Sequence, residues 1–171
     1  MTTPIQDKLI HAYDLMLERV HATIEHAEKE AIPNIEEQLK VAQQKAIELG
    51  ELSKEEADKV SQYLKRDLQD ISEYMQETQS QFSDWLTFEA GILESKMFDW
   101  LNLVADQTKV QWNQFNEQAR KSQQYHSGEI TGPGTLECIA CQQLLHFKKT
   151  GHIPPCPKCH GTEFKRHKKE S

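Results

Sequence analysis

Four cysteines constrain this chain more than any other feature. They occur as two Cys-x-x-Cys pairs, Cys138 with Cys141 and Cys156 with Cys159, and 14 residues separate the pairs. Within one pair, both thiols converge around a tight turn whose backbone amides donate hydrogen bonds to sulfur, and two such turns complete a tetrahedral metal site. The spacing therefore predicts a metal centre with these four cysteines as its ligands.

The residues around the cysteines predict a small β structure. Leu144–Phe147 is a candidate strand, a turn follows around Gly151, and Glu163–Arg166 is a candidate closing strand. The order of knuckle, strands and knuckle describes a zinc ribbon. About 45 residues with few large apolar side chains do not fold on core burial alone, so a structural metal is expected to stabilise them. Four sulfurs leave no coordination position for an activated water, which predicts one structural Zn²⁺.

Paired Cys-x-x-Cys motifs have two other uses in proteins. Redox-active Cys-x-x-Cys pairs of the thioredoxin type occur in a βαβ pattern, which this sequence lacks. Iron in a rubredoxin-like four-cysteine site is a second alternative, because a thiolate tetrahedron suits both metals. Zinc is the favoured cofactor and iron the less favoured one.

The sequence before the cysteines predicts helices. Apolar residues recur every three or four positions over Ile5–Ala31, Pro33 ends that run, and two further stripes follow, separated by Gly50 and a Ser53–Glu56 capping box. A fourth run, 84–121, contains all three Trp and is apolar nearly all round the helix. Such a helix needs several neighbours or another chain, so self-association through 82–115 is a further hypothesis.

These patterns predict a mainly α fold. The expected architecture is an elongated antiparallel bundle of three to four helices with a small C-terminal β zinc ribbon. The predicted domains are an acidic helical bundle at 1–122, a linker at 123–134 and the zinc ribbon at 135–171. Charge supports this division, because residues 1–126 carry a net charge of -10 and residues 127–171 carry +3, although the whole chain sums to -7.

Motifs for catalysis and for membranes are missing from the sequence. It has no Gly-rich phosphate loop, no Gly-x-Ser-x-Gly and no His-Glu-x-x-His, and its one Glu-x-x-His pair, Glu18 with His21, lacks the partners of a di-iron site. No run approaches the ~18 apolar residues that span a bilayer, and no signal peptide is visible. We therefore expect a cytoplasmic protein that is not an enzyme.

The C-terminal residues also carry a family resemblance. The stretch Tyr125–Cys138 (YHSGEITGPGTLEC), followed by Pro155–Cys159 and Phe164–Arg166, closely resembles the bacterial YbeL-like zinc-ribbon-containing proteins. The resemblance implies an acidic helical region followed by a zinc ribbon, with the same four cysteines as ligands, but it implies no biochemical activity. Two departures are Pro33 and the order His160-Gly161, where the family tends to place Gly first.

Two functions follow as hypotheses. The first is a non-enzymatic zinc-binding protein that acts as an interaction or adaptor module for an unknown protein partner. The alternative is a nucleic-acid-binding accessory factor of transcription or translation, which would use the basic residues Lys165, Arg166, Lys168 and Lys169. The acidic helical region would repel a phosphate backbone, so the first hypothesis is favoured.

Overall fold

The computed structural model describes residues 3–25, 35–78 and 124–167. Within these residues the chain forms three helices, α1 (Pro4–Glu25), α2 (Ile35–Glu48) and α3 (Lys54–Thr78). Six strands follow: β1 (Tyr125–His126), β2 (Ile130–Thr131), β3 (Gly134–Cys138), β4 (Leu144–Phe147), β5 (Gly151–His152) and β6 (Glu163–Arg166). The predicted fourth helical run at 84–121 and the self-association surface at 82–115 lie outside the described residues.

Local hydrogen bonds explain where the helices begin and end. The backbone amide of Ser53 donates to the Glu56 carboxylate at 2.9 Å, and the Glu56 amide donates to the Ser53 hydroxyl at 3.2 Å, which confirms the predicted capping box. Gly50, with φ of 69°, ends α2 as predicted. The Glu51 amide donates to the Ala46 carbonyl and the Gly50 amide to the Ile47 carbonyl, which is a Schellman motif.

The helices bury their apolar stripes against one another. α2 and α3 form an antiparallel hairpin, in which Lys65 lies 3.0 Å from Glu36 near its open end. α1 packs on both helices of the hairpin. The fully buried large side chains of this core are Tyr13, Met16, Leu17, Val20, Leu39, Val60, Leu64 and Leu68.

The strands form two antiparallel sheets. One has four strands in the order β1-β6-β3-β4, and the other pairs β2 with β5. A second, smaller apolar core lies against the four-stranded sheet and includes Tyr125, Leu136, Leu145, Ile153 and Phe164 together with Cys138 and Cys156. Two of the predicted cysteine ligands are therefore also core residues of the β region.

The prediction of a mainly α fold, with an elongated antiparallel bundle of three to four helices and a small appended ribbon, is wrong. The described residues form an α+β arrangement in which β2 packs on α3 and β5 packs on α1. Ile130, which lies in the segment predicted as a linker, is fully buried in the helical core. The physical reason is that polar residues of α3 at 66–70, a composition that helical periodicity alone would leave in solvent, are buried where the strands pack on the helix.

None of the described helices combines the length and the apolar composition that crossing a bilayer requires.

Candidate metal centre

Two turns of matching geometry carry the four cysteines. We call Cys138–Gln143 the first knuckle and Cys156–Gly161 the second knuckle. In each knuckle the residue after the second cysteine donates its amide proton to the carbonyl of the first cysteine, from Gln142 to Cys138 and from His160 to Cys156, both at 2.9 Å. The amide of the first cysteine in turn donates to the carbonyl five residues later, again at 2.9 Å in both knuckles. The two halves of the site are thus built alike.

Each knuckle closes through a residue with left-handed backbone geometry. Gln142 has φ of 62° and His160 has φ of 60°, and neither is glycine. This conformation is unfavourable for side chains with a Cβ, so both knuckles hold local strain. Gly161, the residue after His160, is needed for a different reason. A Cβ there would lie 3.2 Å from the Cys159 sulfur and 3.3 Å from the Cys138 sulfur.

The knuckles bring all four predicted residues together. The four Sγ atoms lie within 4.8 Å of one another, with the Cys138–Cys159 and Cys141–Cys156 pairs each 3.6 Å apart. A tetrahedral Zn²⁺ with bonds of about 2.3 Å separates its sulfur ligands by about 3.8 Å, so the cluster has the size and the donor chemistry that zinc requires. Cys138 and Cys156 are buried, whereas Cys159 is exposed at the surface.

Hydrogen bonds from backbone amides and burial shift the pKa values of the thiols in opposite directions. The Gln143 amide lowers the pKa of Cys141, but burial and the neighbouring thiols outweigh it and raise that pKa to about 12. Burial raises the pKa of Cys156, but the amides of Cys159 and Lys158 and the adjacent thiols outweigh it and lower that pKa to about 6. Unequal pKa values are expected when several thiols share a small volume, because the negative charge of the first thiolate disfavours deprotonation of the next thiol. A bound cation would remove that opposition.

Nearby histidines have other partners. The His146 ring lies 2.9 Å from the Thr135 hydroxyl, the His152 ring 3.1 Å from the Gly128 carbonyl, and the His167 ring 3.0 Å from Glu137. Within the described ranges, the cysteine cluster is the one group of three or more candidate metal ligands.

From here on, the ribbon means the whole described strand region, residues 124–167. On the side of the ribbon that faces the helices, a set of buried polar residues joins the strands to α3. We call Tyr13, Arg66, Asp67, Asp70, Tyr125 and Arg166 the polar interface cluster. The Asp67 carboxylate, fully buried, accepts hydrogen bonds from the Tyr13 hydroxyl at 2.5 Å and from the Gly132 amide at 2.8 Å. Arg66 donates to the Ile130 carbonyl at 2.9 Å and pairs with Glu129.

Tyr125 and Arg166 supply the ribbon's part of this cluster. The Tyr125 hydroxyl donates to Asp70, and its ring centroid lies 3.8 Å from the Arg66 guanidinium carbon and 5.0 Å from that of Arg166. Arg166 donates to the Tyr125 hydroxyl at 3.1 Å and lies 3.5 Å from Asp67, and its side chain is 9% exposed. Gly134, with φ of 144°, makes room for it, since a Cβ at Gly134 would collide with the Arg166 Nη1 atom.

Burial dominates the electrostatics of the cluster. It raises the pKa of Asp70 to about 6, although Arg166 and the Tyr125 hydroxyl pull it down. Burial likewise raises the pKa of Tyr13 and of Tyr125 well above the ordinary value, so both stay neutral donors. Burial lowers the pKa of Arg166, but Tyr125, Asp67 and Asp70 together raise it by more than burial lowers it. The guanidinium therefore stays charged.

Sequence reasoning missed this cluster. Charged residues on a helix such as α3 ordinarily indicate a solvated face, and Arg166 was predicted only as one of four basic residues for nucleic-acid binding. One signal was present, since Tyr125 and Arg166 stand at the two ends of the stretch that carries the family resemblance. That stretch contains residues other than the cysteines, and the structure shows that several of them contact α3.

Two Cys-x-x-Cys knuckles facing each other at one end of a small antiparallel sheet define a protein of the zinc-ribbon class. The family model that matches the chain covers residues 22–168 and is described as a zinc-ribbon containing domain. The chain belongs to this family, and the resemblance to YbeL-like proteins is confirmed.

Curated relatives agree with this assignment. The chain is 24% identical over 125 residues to "Uncharacterized protein YbeL" of Escherichia coli strain K12, which is 73% of this chain and 77% of that protein. The same figures hold for the proteins of that name in Escherichia coli O6:H1 and in Escherichia coli O157:H7. No solved structure matches the chain.

Proposed function

We propose that this protein is a non-enzymatic module in which Cys138, Cys141, Cys156 and Cys159 hold one structural Zn²⁺. The observation that carries the proposal is the convergence of four sulfurs within 4.8 Å from two turns of matching geometry. Four protein ligands close the coordination sphere of zinc, so no position is left for a substrate or an activated water. The metal would stabilise the ribbon, whose own apolar core is small.

Metal analysis of the purified chain tests the site. We expect one zinc per chain in the wild type, and loss of that zinc in Cys156→Ser, because three sulfurs no longer complete the tetrahedron. His160→Ala is the matched control, since His160 lies in the same knuckle outside the sulfur cluster, and it should keep one zinc. Four thiols that react freely in the native protein without chelator would contradict the proposal. Stoichiometric iron in place of zinc would show that the metal is iron, and the assignment of the four cysteines as its ligands would remain.

The role that we propose for the module is protein interaction, as an adaptor in the cytoplasm, where thiols remain reduced. An exposed apolar residue supports this role. Ile139 lies between the two cysteines of the first knuckle and is 46% exposed, and the knuckle fixes its position rigidly. The partner of such a surface is a protein with a complementary apolar recess.

Affinity purification with matched variants tests the interaction. Wild-type protein should retain a stoichiometric partner from a native extract, and Ile139→Glu should lose it. Val41→Glu is the control, because Val41 is an exposed apolar residue of α2, 60% exposed and outside the strand region that carries the knuckles. Equal recovery of the partner by both variants would show that the first knuckle is not the contact.

Self-association through 82–115 is a separate part of the proposal that rests on the sequence. The three Trp and the nearly all-round apolar pattern of that run support it. Sedimentation of the full chain over a wide concentration range should show a dimer or a larger species. A monomer at every concentration would contradict it.

The geometry gives less support to the nucleic-acid alternative. Arg166, one of its four basic residues, directs its guanidinium into the polar interface cluster, and Lys165 lies 3.4 Å from Glu137. Positive charge that is already neutralised contributes little to phosphate binding. A low-salt mobility-shift assay with DNA and RNA should therefore show no retardation, and a salt-sensitive shift would restore the alternative.

A further inference from the structure

One row of side chains crosses the ribbon sheet from the metal centre to the helices. In the strand register, Cys138 of β3 pairs with Phe164 of β6, and Phe164 pairs with Tyr125 of β1. Side chains of directly paired residues lie on the same face of a sheet, and all three are fully buried. A candidate metal ligand and a member of the polar interface cluster are thus separated by one phenylalanine.

A second connection runs along the same strands. Arg166 lies two residues beyond Phe164 on β6, where it pairs with Leu136 of β3, which is two residues from Cys138. Two residues of a strand span about 7 Å. The four-stranded sheet contributes Tyr125 and Arg166 to the polar interface cluster. Arg166 lies on β6, which pairs with β3, and β3 ends at Cys138; Tyr125 lies on β1, which pairs with β6. The strands therefore connect both side chains to the cysteine cluster.

The helices depend on the ribbon in turn. Ile130 is fully buried in the helical core, and Asp67 of α3 accepts a hydrogen bond from the Gly132 amide at 2.8 Å. Arg66 of α3 has its guanidinium between the Ile130 carbonyl and Glu129. If the ribbon unfolded, α3 would lose one core neighbour and every ribbon partner of its buried charges.

We propose that the polar interface cluster links the metal centre thermodynamically to the helices, so that metal loss releases α3 from the ribbon and destabilises the helical region. This inference rests on the proposed zinc binding. Its physical basis is that a ribbon with so small a core is stable only with its metal. In addition, Cys138, Phe164 and Tyr125 are buried and directly paired on adjacent strands, so a change at the cysteine site acts on Tyr125 through one intervening side chain. The metal thus acts as a switch for the α3–ribbon contact.

Thermal unfolding of the full chain tests the linkage. Helix content is followed by circular dichroism at 222 nm, with and without excess chelator under reducing conditions. Released zinc is quantified in the same samples by elemental analysis of the filtrate after the protein is retained on a membrane. For the wild type, chelation should lower the helix midpoint by about 3 °C or more, since a loss near 1 kcal/mol moves the midpoint of a chain of this size by about 2–4 °C. Asp67→Asn, which weakens the centre of the cluster, should at least halve this shift.

The control and the outcomes separate the two proposals. Asp58→Asn makes the same change on the same helix outside the cluster, and its chelator shift should equal that of the wild type. Release of one zinc without a change in the helix midpoint would overturn the linkage and leave zinc binding intact. A purified chain that binds no zinc would overturn both.

Hydrogen exchange on the wild type provides a second measurement in case Asp67→Asn fails to fold. After zinc removal, peptides that cover 60–70 of α3 should lose protection more than peptides that cover 35–48 of α2, because only the former contact the ribbon through the cluster. Equal protection of α3 with and without zinc would contradict the linkage.

Discussion

Asp70 gives the sharpest test of the electrostatics at the helix–ribbon interface. Its side chain is 2% exposed and is faced by Arg166 at 3.8 Å, by the Tyr125 hydroxyl, and by Asp67 and Arg66 on its own helix. Burial raises its pKa from 3.8 to about 6 despite the favourable partners. The folded protein therefore binds the Asp70 proton more tightly than the unfolded chain does.

The sign of the effect follows from linkage. Since the folded pKa is the higher one, the stabilisation from the Asp70 proton is complete below about pH 3.8 and is lost as the pH rises through about 6. A shift of two pKa units corresponds to about 3 kcal/mol in total. Between pH 5.5 and pH 8, where zinc ligation is retained more easily than at lower pH, the change is about 1 kcal/mol. The wild type should become less stable over that interval by this amount, as far as Asp70 is concerned.

The assay compares the wild type with Asp70→Asn, which cannot ionise. Free energies of unfolding in urea are measured for both zinc-loaded proteins at pH 5.5 and at pH 8. Effects of pH on the cysteine site are common to both proteins and cancel in the difference. We expect the stability of Asp70→Asn relative to the wild type to improve by about 1 kcal/mol from the lower to the higher pH. A difference that is constant with pH, or that changes in the opposite sense, would refute the interpretation that burial outweighs Arg166.

Three further substitutions test the local geometry. His160→Gly should stabilise the zinc-loaded protein by about 0.5–1 kcal/mol in urea unfolding, since relief of the left-handed conformation exceeds the entropy cost of glycine; destabilisation would show that the His160 side chain has its own contacts. Gly161→Ala should lower the affinity for zinc about tenfold in a chelator competition, or about 1.4 kcal/mol, because the added Cβ crowds two sulfurs. Gly151→Ala is the control and should keep the wild-type affinity, because the atoms nearest to its added Cβ lie 4.0 Å away. Tyr13→Phe should cost about 1–3 kcal/mol of unfolding free energy because it leaves the buried Asp67 short of a donor, and Tyr63→Phe, at a partly buried site on α3, should cost less.

The cysteine cluster could be predicted from the sequence because its chemistry is local. Two residues between the cysteines of a pair already fix a turn, and a tetrahedron needs only that two such turns meet. The cap at Ser53 and the stop at Gly50 were predictable for the same reason, because each depends on residues within one helical turn. Spacing alone also identified the four cysteines whose sulfurs converge, without any knowledge of where the knuckles lie relative to the helices.

The contact between ribbon and helices could not be predicted in this way. Arg66, Asp67 and Asp70 have the composition of a solvated helix face, and their burial depends on Tyr125 and Arg166, more than 50 residues away in the chain. Helical periodicity identifies which side of α3 is apolar, but it carries no information about what covers the polar side. The prediction of a bundle therefore failed at the residues where helix and strand meet. Opposite charges that are more than 50 residues apart in the chain are seen to pair only in the tertiary structure.

The polar character of this interface fits a contact that depends on a metal. Buried charge pairs add little net stability, because desolvation cancels most of their attraction, but removal of one partner is strongly unfavourable. The pairs therefore select one docking geometry without making the contact very tight. An apolar face on α3 would be exposed whenever zinc was lost and would promote aggregation, whereas Arg66, Asp67 and Asp70 are readily solvated. For the metal-dependent contact that we propose, such charges would avoid the aggregation that a larger apolar face would promote on release.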